Sequence, residues 1–550
     1  MKTNVSLCIA AALMVAACGD PSHRHNSGEK VSVINSTPDE VTPDEVIEED
    51  VEITSNEAAL MEPSANATSK MILSSPPQQR NAETYKEIKE NSFVAVAQQP
   101  VTTFSADVDR AAYANVRRII GYGQIPPKDA VRIEEMVNYF DYDYPAPEEG
   151  SASPLRVSPE LAPAPWNPNH LLLRIGLQAK KIDLAKAPPS NIVFLIDVSG
   201  SMDEENKLPL LQSSFKMLLG QLRPDDKVAI VTYANGTKVA LPSTSVKDKE
   251  KIIKVLDNLY ASGGTSGGKG IQLAYEQAQK SFIKNGNNRI ILATDGDFNI
   301  GINNTTDLEK FIEKQRESGI YMSVLGFGMG NYRDDMAETI ADKGNGNYAY
   351  IDNITEAKKV LVNELSGTLF AVAKDVKLQL EFNPKYVKEY KLIGYENRML
   401  ANEDFTNDKK DAGEIGAGHT VTALYELVPS DGKVAQSLRY QSQELNEKGK
   451  GNELGFLKIR YKDPKVKDAK SVEITEPLVF NKKALKETST DYRFAASVAE
   501  FGILLRDNSN KANATYDQVI ELAEGAIGKD PEGYRKEFVR LVKSVKMLPK

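Results

Sequence analysis

Cysteine is almost absent from this 550-residue chain: Cys8 and Cys18 are the only two, both near its start. A folded body beyond them has no disulfide and no cysteine-ligated zinc. Histidine is nearly as scarce. His23 and His25 lie in a polar stretch, and His170 and His419 stand alone in strand-like sequence, which argues against a histidine-based metal or nucleophilic site. After the first residues no apolar run approaches the roughly 17–25 residues that span a bilayer. Lys and Arg (68) are outnumbered by Asp and Glu (77), and no basic patch is dense enough to suggest nucleic acid as a partner.

What is present begins with a leader. Lys2 supplies a basic start, and Val5 to Ala17 is apolar or small apart from Ser6, ending in Val15-Ala16-Ala17-Cys18. That is the layout of a secretory signal. With a cysteine at the cleavage point it resembles a bacterial lipoprotein signal, with Val15–Cys18 as the lipobox. The resemblance implies removal of residues 1–17, lipidation of Cys18 and a membrane tether in the cell envelope without a transmembrane helix. A secretory signal with an incidental cysteine is the alternative. Gly19 is not the acidic residue associated with inner-membrane retention, which points to the outer membrane where a cell has two. Residues 18–92 are rich in Ser, Pro, Glu, Asp and Asn and contain a tandem pentapeptide, Thr37–Val41 then Thr42–Val46. Such a segment cannot bury enough apolar surface to offset its ordering entropy, and it reads as a flexible acidic tether.

The length predicts several domains of roughly 100–200 residues each. Residues 93–150 read as a helical region, with one helix over Val108–Ile120 and another carrying the stripe Ile133, Met136, Val137 and Phe140. Residues 151–189 hold strand-like stretches at Leu155–Glu160 and His170–Leu177. Over 190–373 apolar strands alternate with helical patterns, ending in a helix over Thr355–Leu369, which predicts an α/β domain with a doubly wound, mostly parallel sheet. Over 374–485 the apolar period falls to two, as in Val376, Leu378, Leu380 and Phe382, predicting an antiparallel sandwich. Strands on both flanks predict that the α/β domain is inserted into that sandwich. Residues 486–550 carry two helical stripes, Phe494, Val498, Phe501 and Leu505, then Phe538, Leu541, Val542 and Val545.

The chemistry concentrates after the run Ile192-Val193-Phe194-Leu195-Ile196. Asp197-Val198-Ser199-Gly200-Ser201 leaves the C-terminal end of that buried strand, where open α/β sheets place their ligands. Thr294-Asp295-Gly296-Asp297 follows another core strand, and Ser262-Gly263-Gly264-Thr265-Ser266 adds hydroxyls on a flexible backbone. Carboxylates and hydroxyls are hard oxygen donors suited to Mg²⁺, Mn²⁺ or Ca²⁺. Helix capping by Ser199 or Ser201 and a plain turn at Asp295-Gly296 are the simpler explanations of the same residues. The full set Asp197-x-Ser199-x-Ser201, Thr265, Asp295-Gly296 resembles the metal-ion-dependent adhesion site of von Willebrand factor type A (VWA) domains. The resemblance implies that Ser199, Ser201 and Thr265 ligate a divalent cation, most commonly Mg²⁺, with Asp197 and Asp295 acting directly or through water. A protein partner's Asp or Glu carboxylate would then complete the shell.

Rival motifs fail. Gly263–Lys269 fits GxxxxGK, but Gly270 stands where a P-loop needs Ser or Thr. Asp295-x-Asp297-x-Asn299 opens like an EF-hand, yet the glycine comes one place late at Gly301 and Thr306 replaces the bidentate Glu. Ser213-x-x-Lys216 matches the SxxK of penicillin-recognising enzymes without a KTG, leaving a serine hydrolase as a remote alternative. Around Phe104–Asp109 and Glu134–Phe140, and through the C-terminal region, the chain resembles a family of bacterial VWA lipoproteins. That resemblance implies a non-enzymatic, lipid-anchored, metal-dependent binding module of the envelope; an envelope scaffold with a structural metal is the runner-up.

Overall fold

A computed structural model describes residues 83–265, 267–296, 305–410, 412–431, 451–466, 469–508 and 511–549. The expected signal segment, Cys18, the tandem pentapeptide, Ser266, Asp297 and Asn299 lie outside them. Strands β1 (Val94–Ala95) and β2 (Val101–Ser105) precede helices α1 (Ala111–Gly121) and α2 (Ile133–Asn138), then strands β3 (Leu155–Ala164) and β4 (Asn167–Ala179). The alternating region runs β5 (Ser190–Asp197), α3 (Leu208–Gln221), β6 (Lys227–Tyr233), β7 (Thr237–Ser245), α4 (Lys249–Asp257), α5 (Gly267–Lys280) and β8 (Asn287–Thr294). It continues with α6 (Thr305–Arg316), β9 (Ile320–Gly326), α7 (Asp334–Lys343), β10 (Tyr348–Tyr350), α8 (Ile354–Lys358) and α9 (Leu365–Leu369). Strands β11 (Ala371–Phe382), β12 (Val387–Ile393), β13 (Met399–Leu400), β14 (Ile415–Gly416), β15 (Thr420–Pro429), β16 (Glu453–Lys462) and β17 (Val472–Val479) follow. Helices α10 (Thr490–Leu505), α11 (Tyr516–Glu524) and α12 (Tyr534–Met547) close the order.

The expected fold class holds. The central sheet has the order β10-β9-β8-β5-β6-β7, parallel except for β7 against β6. Every residue of β5 is buried because helices cover both faces. Alternate side chains separate accordingly: Val193 and Leu195 join α5 and α7, while Ile192, Phe194 and Ile196 join α3 and α4. Each such side chain contributes roughly 1.5–3 kcal/mol relative to exposure.

Two antiparallel sheets, β1-β12-β15-β4-β3 and β13-β2-β11-β16-β17, enclose a second core. Strand β4 precedes the α/β domain and β15 follows it, yet they pair along Leu171–Gln178 and Thr420–Leu427, so the insertion is real. One turn fastens both ends of the insert. Ala179 N donates to His419 O (2.9 Å), Gly418 N to Lys180 O (3.0 Å) and Ala417 N to Phe370 O (2.8 Å).

Several boundaries differ from those expected. Contacts begin before Phe93: Glu83 pairs with Arg118 (2.9 Å) and accepts from Gly330 N (2.9 Å), so the tether cannot extend to residue 92. Region 93–150 is not purely helical, since β1 and β2 complete the sandwich. Its helices share one core with α10–α12, in which Tyr113, Phe140, Phe494 and Phe538 meet, so the two helical ends form a single body. The helix expected over Thr355–Leu369 is broken by a π turn at Lys359–Asn363. That wider turn brings Lys359 and Glu364 together beside Arg110. Among the described residues no helix is long and apolar enough to cross a membrane.

Candidate metal site of the central sheet

Asp197 ends β5, and Asp295 directly follows β8, its hydrogen-bonded neighbour, so the parallel pairing sets both carboxylates on one sheet edge. Both are fully buried. Asp197 Oδ1 accepts from Ser199 N (2.9 Å), while Oδ2 has no hydrogen-bond partner. Burial pushes the Asp197 carboxyl up to about 7; the nearby Asp295 carboxylate adds to the rise, against the pull of Ser199.

Ser199 occupies the cap position of the short 3₁₀ turn Gly200–Asp203, but its hydroxyl caps nothing. Its Oγ lies 3.0 Å from Ser201 Oγ. The capping explanation of Ser199 therefore fails. The Thr265 loop is drawn to the same edge by Gly200 N donating to Gly263 O (2.8 Å) and Ser262 N to Val198 O (2.8 Å). Asn235 Oδ1, after β6, accepts from Gly264 N (2.5 Å). Thr265 itself is half-buried. Gly296 has φ +88°, and a Cβ there would lie 2.6 Å from Arg333 N, so only glycine keeps Asp295 on this turn.

Sequence reasoning missed Lys207. Its buried Nζ donates to Ser201 O (2.9 Å) and to Asp295 Oδ2 (3.3 Å), and lies 3.3 Å from Glu204. It enters from the start of α3, a position no part of the motif marks. Tyr233 was missed too, although its register opposite Asp197 places its buried phenol beside Asp197 and Thr294. A cavity of about 310 Å³ opens alongside, lined by Val198, Asn235, Tyr260 and Ser262, and Tyr260 is 73% exposed at its rim.

The residues fit a hard divalent cation. An orphaned buried carboxylate oxygen, a pair of hydroxyls and a second carboxylate converge, although among the described residues no three of His, Cys, Asp and Glu form a metal-ligand group. The serine–lysine pair does not assemble: Ser213 Oγ donates to Pro209 O (3.0 Å) and Lys216 pairs with Asp257.

Three family descriptions match the chain: "von Willebrand factor" over residues 79–174, "von Willebrand factor type A domain" over 191–363, and "Uncharacterized protein YfbK, C-terminal" over 367–548. Fold and site thus define a VWA-domain protein, a class whose members are generally adhesion or scaffold proteins and typically bind divalent cations. The chain is 48% identical over 465 residues to "Uncharacterized protein YfbK" of Escherichia coli (strain K12), covering 83% of this chain and 80% of that protein, and belongs to its family. "Uncharacterized protein sll0103" of Synechocystis sp. is 26% identical over 326 residues, 59% of this chain and 74% of that one. Among solved structures, "von Willebrand factor type A from Catenulispora acidiphila" aligns with a TM-score of 0.38 and 14% identity, over 84% of this chain and 91% of that one.

Proposed function

We propose that this protein is lipidated at Cys18 in a bacterial cell envelope, the outer membrane where there are two, and there binds a protein partner through a divalent cation. Asp197, Ser199, Ser201, Thr265 and Asp295 hold the cation, Mg²⁺ before Mn²⁺ or Ca²⁺. The observation that carries this reading is the buried Oδ2 of Asp197, which makes no hydrogen bond of normal geometry among the described residues although the Tyr233 phenol stands beside the carboxylate. A lone carboxylate oxygen out of water is costly, and a cation offsets that cost. Neutral hydroxyls leave such a cation electrophilic, so a partner's Asp or Glu carboxylate completes its shell. Exposed Tyr260 beside the edge suits a partner contact, since aromatic anchors dominate interface energetics.

Lys207 favours a second reading, an envelope scaffold or assembly factor whose metal site is structural, with the protein's own ammonium beside it and no external ligand. Calorimetric titration with Mg²⁺ and Mn²⁺ tests both readings. Wild type should bind one ion, Asp197→Ala none, and Lys207→Met should bind more tightly because a competing positive charge is gone. Envelope proteins should be captured only without chelator, and Cys18→Ala should release the protein from membranes. No metal binding by wild type removes both readings; metal binding with chelator-insensitive capture leaves the scaffold.

A further inference from the structure

Arg289, the third residue of β8, is 3% exposed and forms no ion pair among the described residues. Its Nη1 donates to Ser323 Oγ (2.6 Å), and Ser323 Oγ in turn accepts from Asn347 N (3.1 Å). Nε has no hydrogen-bond partner. Burial lowers the guanidinium pKa, opposed by Glu414 and Tyr321. Buried arginines ordinarily meet a carboxylate, because an unpaired charge out of water is expensive.

The same side chain lines a cavity of about 340 Å³ between the VWA domain and the sandwich, within the usual size of small-molecule sites. Lys374 reinforces the positive charge. Its Nζ lies 4.4 Å from the centroid of the Tyr321 ring, and the Arg289 guanidinium lies 5.8 Å from the same centroid. Among the described residues Glu414, 3.6 Å from Lys374, is the carboxylate that faces these two cations, so there they outnumber it two to one. Asp107 and Asp342, also on the wall, are committed to Arg398 at 2.9 Å each.

We propose that this cavity binds a small anion, its carboxylate or phosphate group held by the Arg289 guanidinium. A guanidinium is planar and can bind in a bidentate way, the geometry by which arginine recognises both groups. Arg289 lies near the N-terminal end of β8 and Asp295 just past its C-terminal end. Six residues of strand put the anion site roughly 20 Å from the metal edge, so the two sites are separate.

The test is calorimetry on the full chain in chelator, so that no metal at the other edge contributes, with inorganic phosphate in one arm and succinate in the other. Sodium chloride at equal ionic strength is the baseline. Wild type should bind at least one of the anions saturably at one per chain, and the arm that binds tighter identifies the ligand group. Arg289→Met should weaken binding at least tenfold without lowering the melting temperature in chloride, since it removes one of the two cations that face one carboxylate. Glu414→Gln should tighten binding, and it keeps the test decisive should Arg289→Met fail to fold. Absence of saturable binding by wild type, wild-type affinity in Arg289→Met, or unchanged affinity in Glu414→Gln overturns the proposal.

Discussion

At the scale of single residues, the informative groups are buried ionisable side chains with an atom that has no hydrogen-bond partner among the described residues. Asp197 and Arg289 are two; Glu500, inside α10, is a third, with neither carboxylate oxygen hydrogen-bonded. Burial pushes its carboxyl up to about 8, with Thr515's backbone pulling the other way. The unfolded chain releases this proton near 4.5, so between about 4.5 and 8 the folded state holds one proton more. Stability therefore falls as pH rises through that window, by about 1.4 kcal/mol per pH unit from this group alone. Glu500→Gln should remove that slope. Urea unfolding at about pH 5 and pH 8 should show the variant gaining on wild type at the higher pH; an equal advantage at both would rule the explanation out. The metal-site residues were legible because hydroxyl and carboxylate types repeat at fixed offsets after apolar runs. Lys207, Arg289 and Glu500 were not, because their meaning lies in what surrounds them and no spacing in the chain records that.

At the scale of elements, strands with strong apolar patterns were the easiest to read. β5, β6, β8, β9, β11, β15 and β16 lie where alternation or continuous apolar runs place them. α11 was missed although Thr515 caps it by accepting from Gln518 N, a start signal present in the sequence but followed by a short, half-exposed helix. β12 was missed because Lys388, Glu389 and Lys391 interrupt its apolar positions. The turn around β14 was illegible for a different reason: its job is contact with chain far away. A Cβ on Gly416 would lie 2.1 Å from Gly367 O, a backbone atom of α9 that cannot move alone. Gly416→Ala should destabilise by about 1–3 kcal/mol through overpacking. Gly121→Ala, at the end of α1 with nothing within 4 Å, should be neutral or slightly stabilising by comparison. Denaturant midpoints of the two variants test this, and similar midpoints would mean that the turn tolerates the extra atom.

At the scale of the molecule, the insertion predicted from strands on both flanks holds, while the merging of both helical ends into one body could not be read from either end alone. Ion pairs also tie the VWA domain to the chain on either side of it. Arg398, after the VWA domain, meets Asp107 (2.9 Å) and Asp109 (3.1 Å) before it and Glu338 (3.5 Å) and Asp342 (2.9 Å) within it. Arg398→Met leaves those carboxylates facing one another and should destabilise by about 3–5 kcal/mol; equilibrium unfolding measures it, and a loss below 1 kcal/mol would show the domain is held by apolar contact alone. The fastening of both ends of the insert to residues 415–419 bears on mechanical load. A pull on the outer edge of the central sheet is shared by two attachments lying side by side, so neither end of the sheet can be peeled separately. Tension is handed to that turn and to the long β4–β15 ladder behind it.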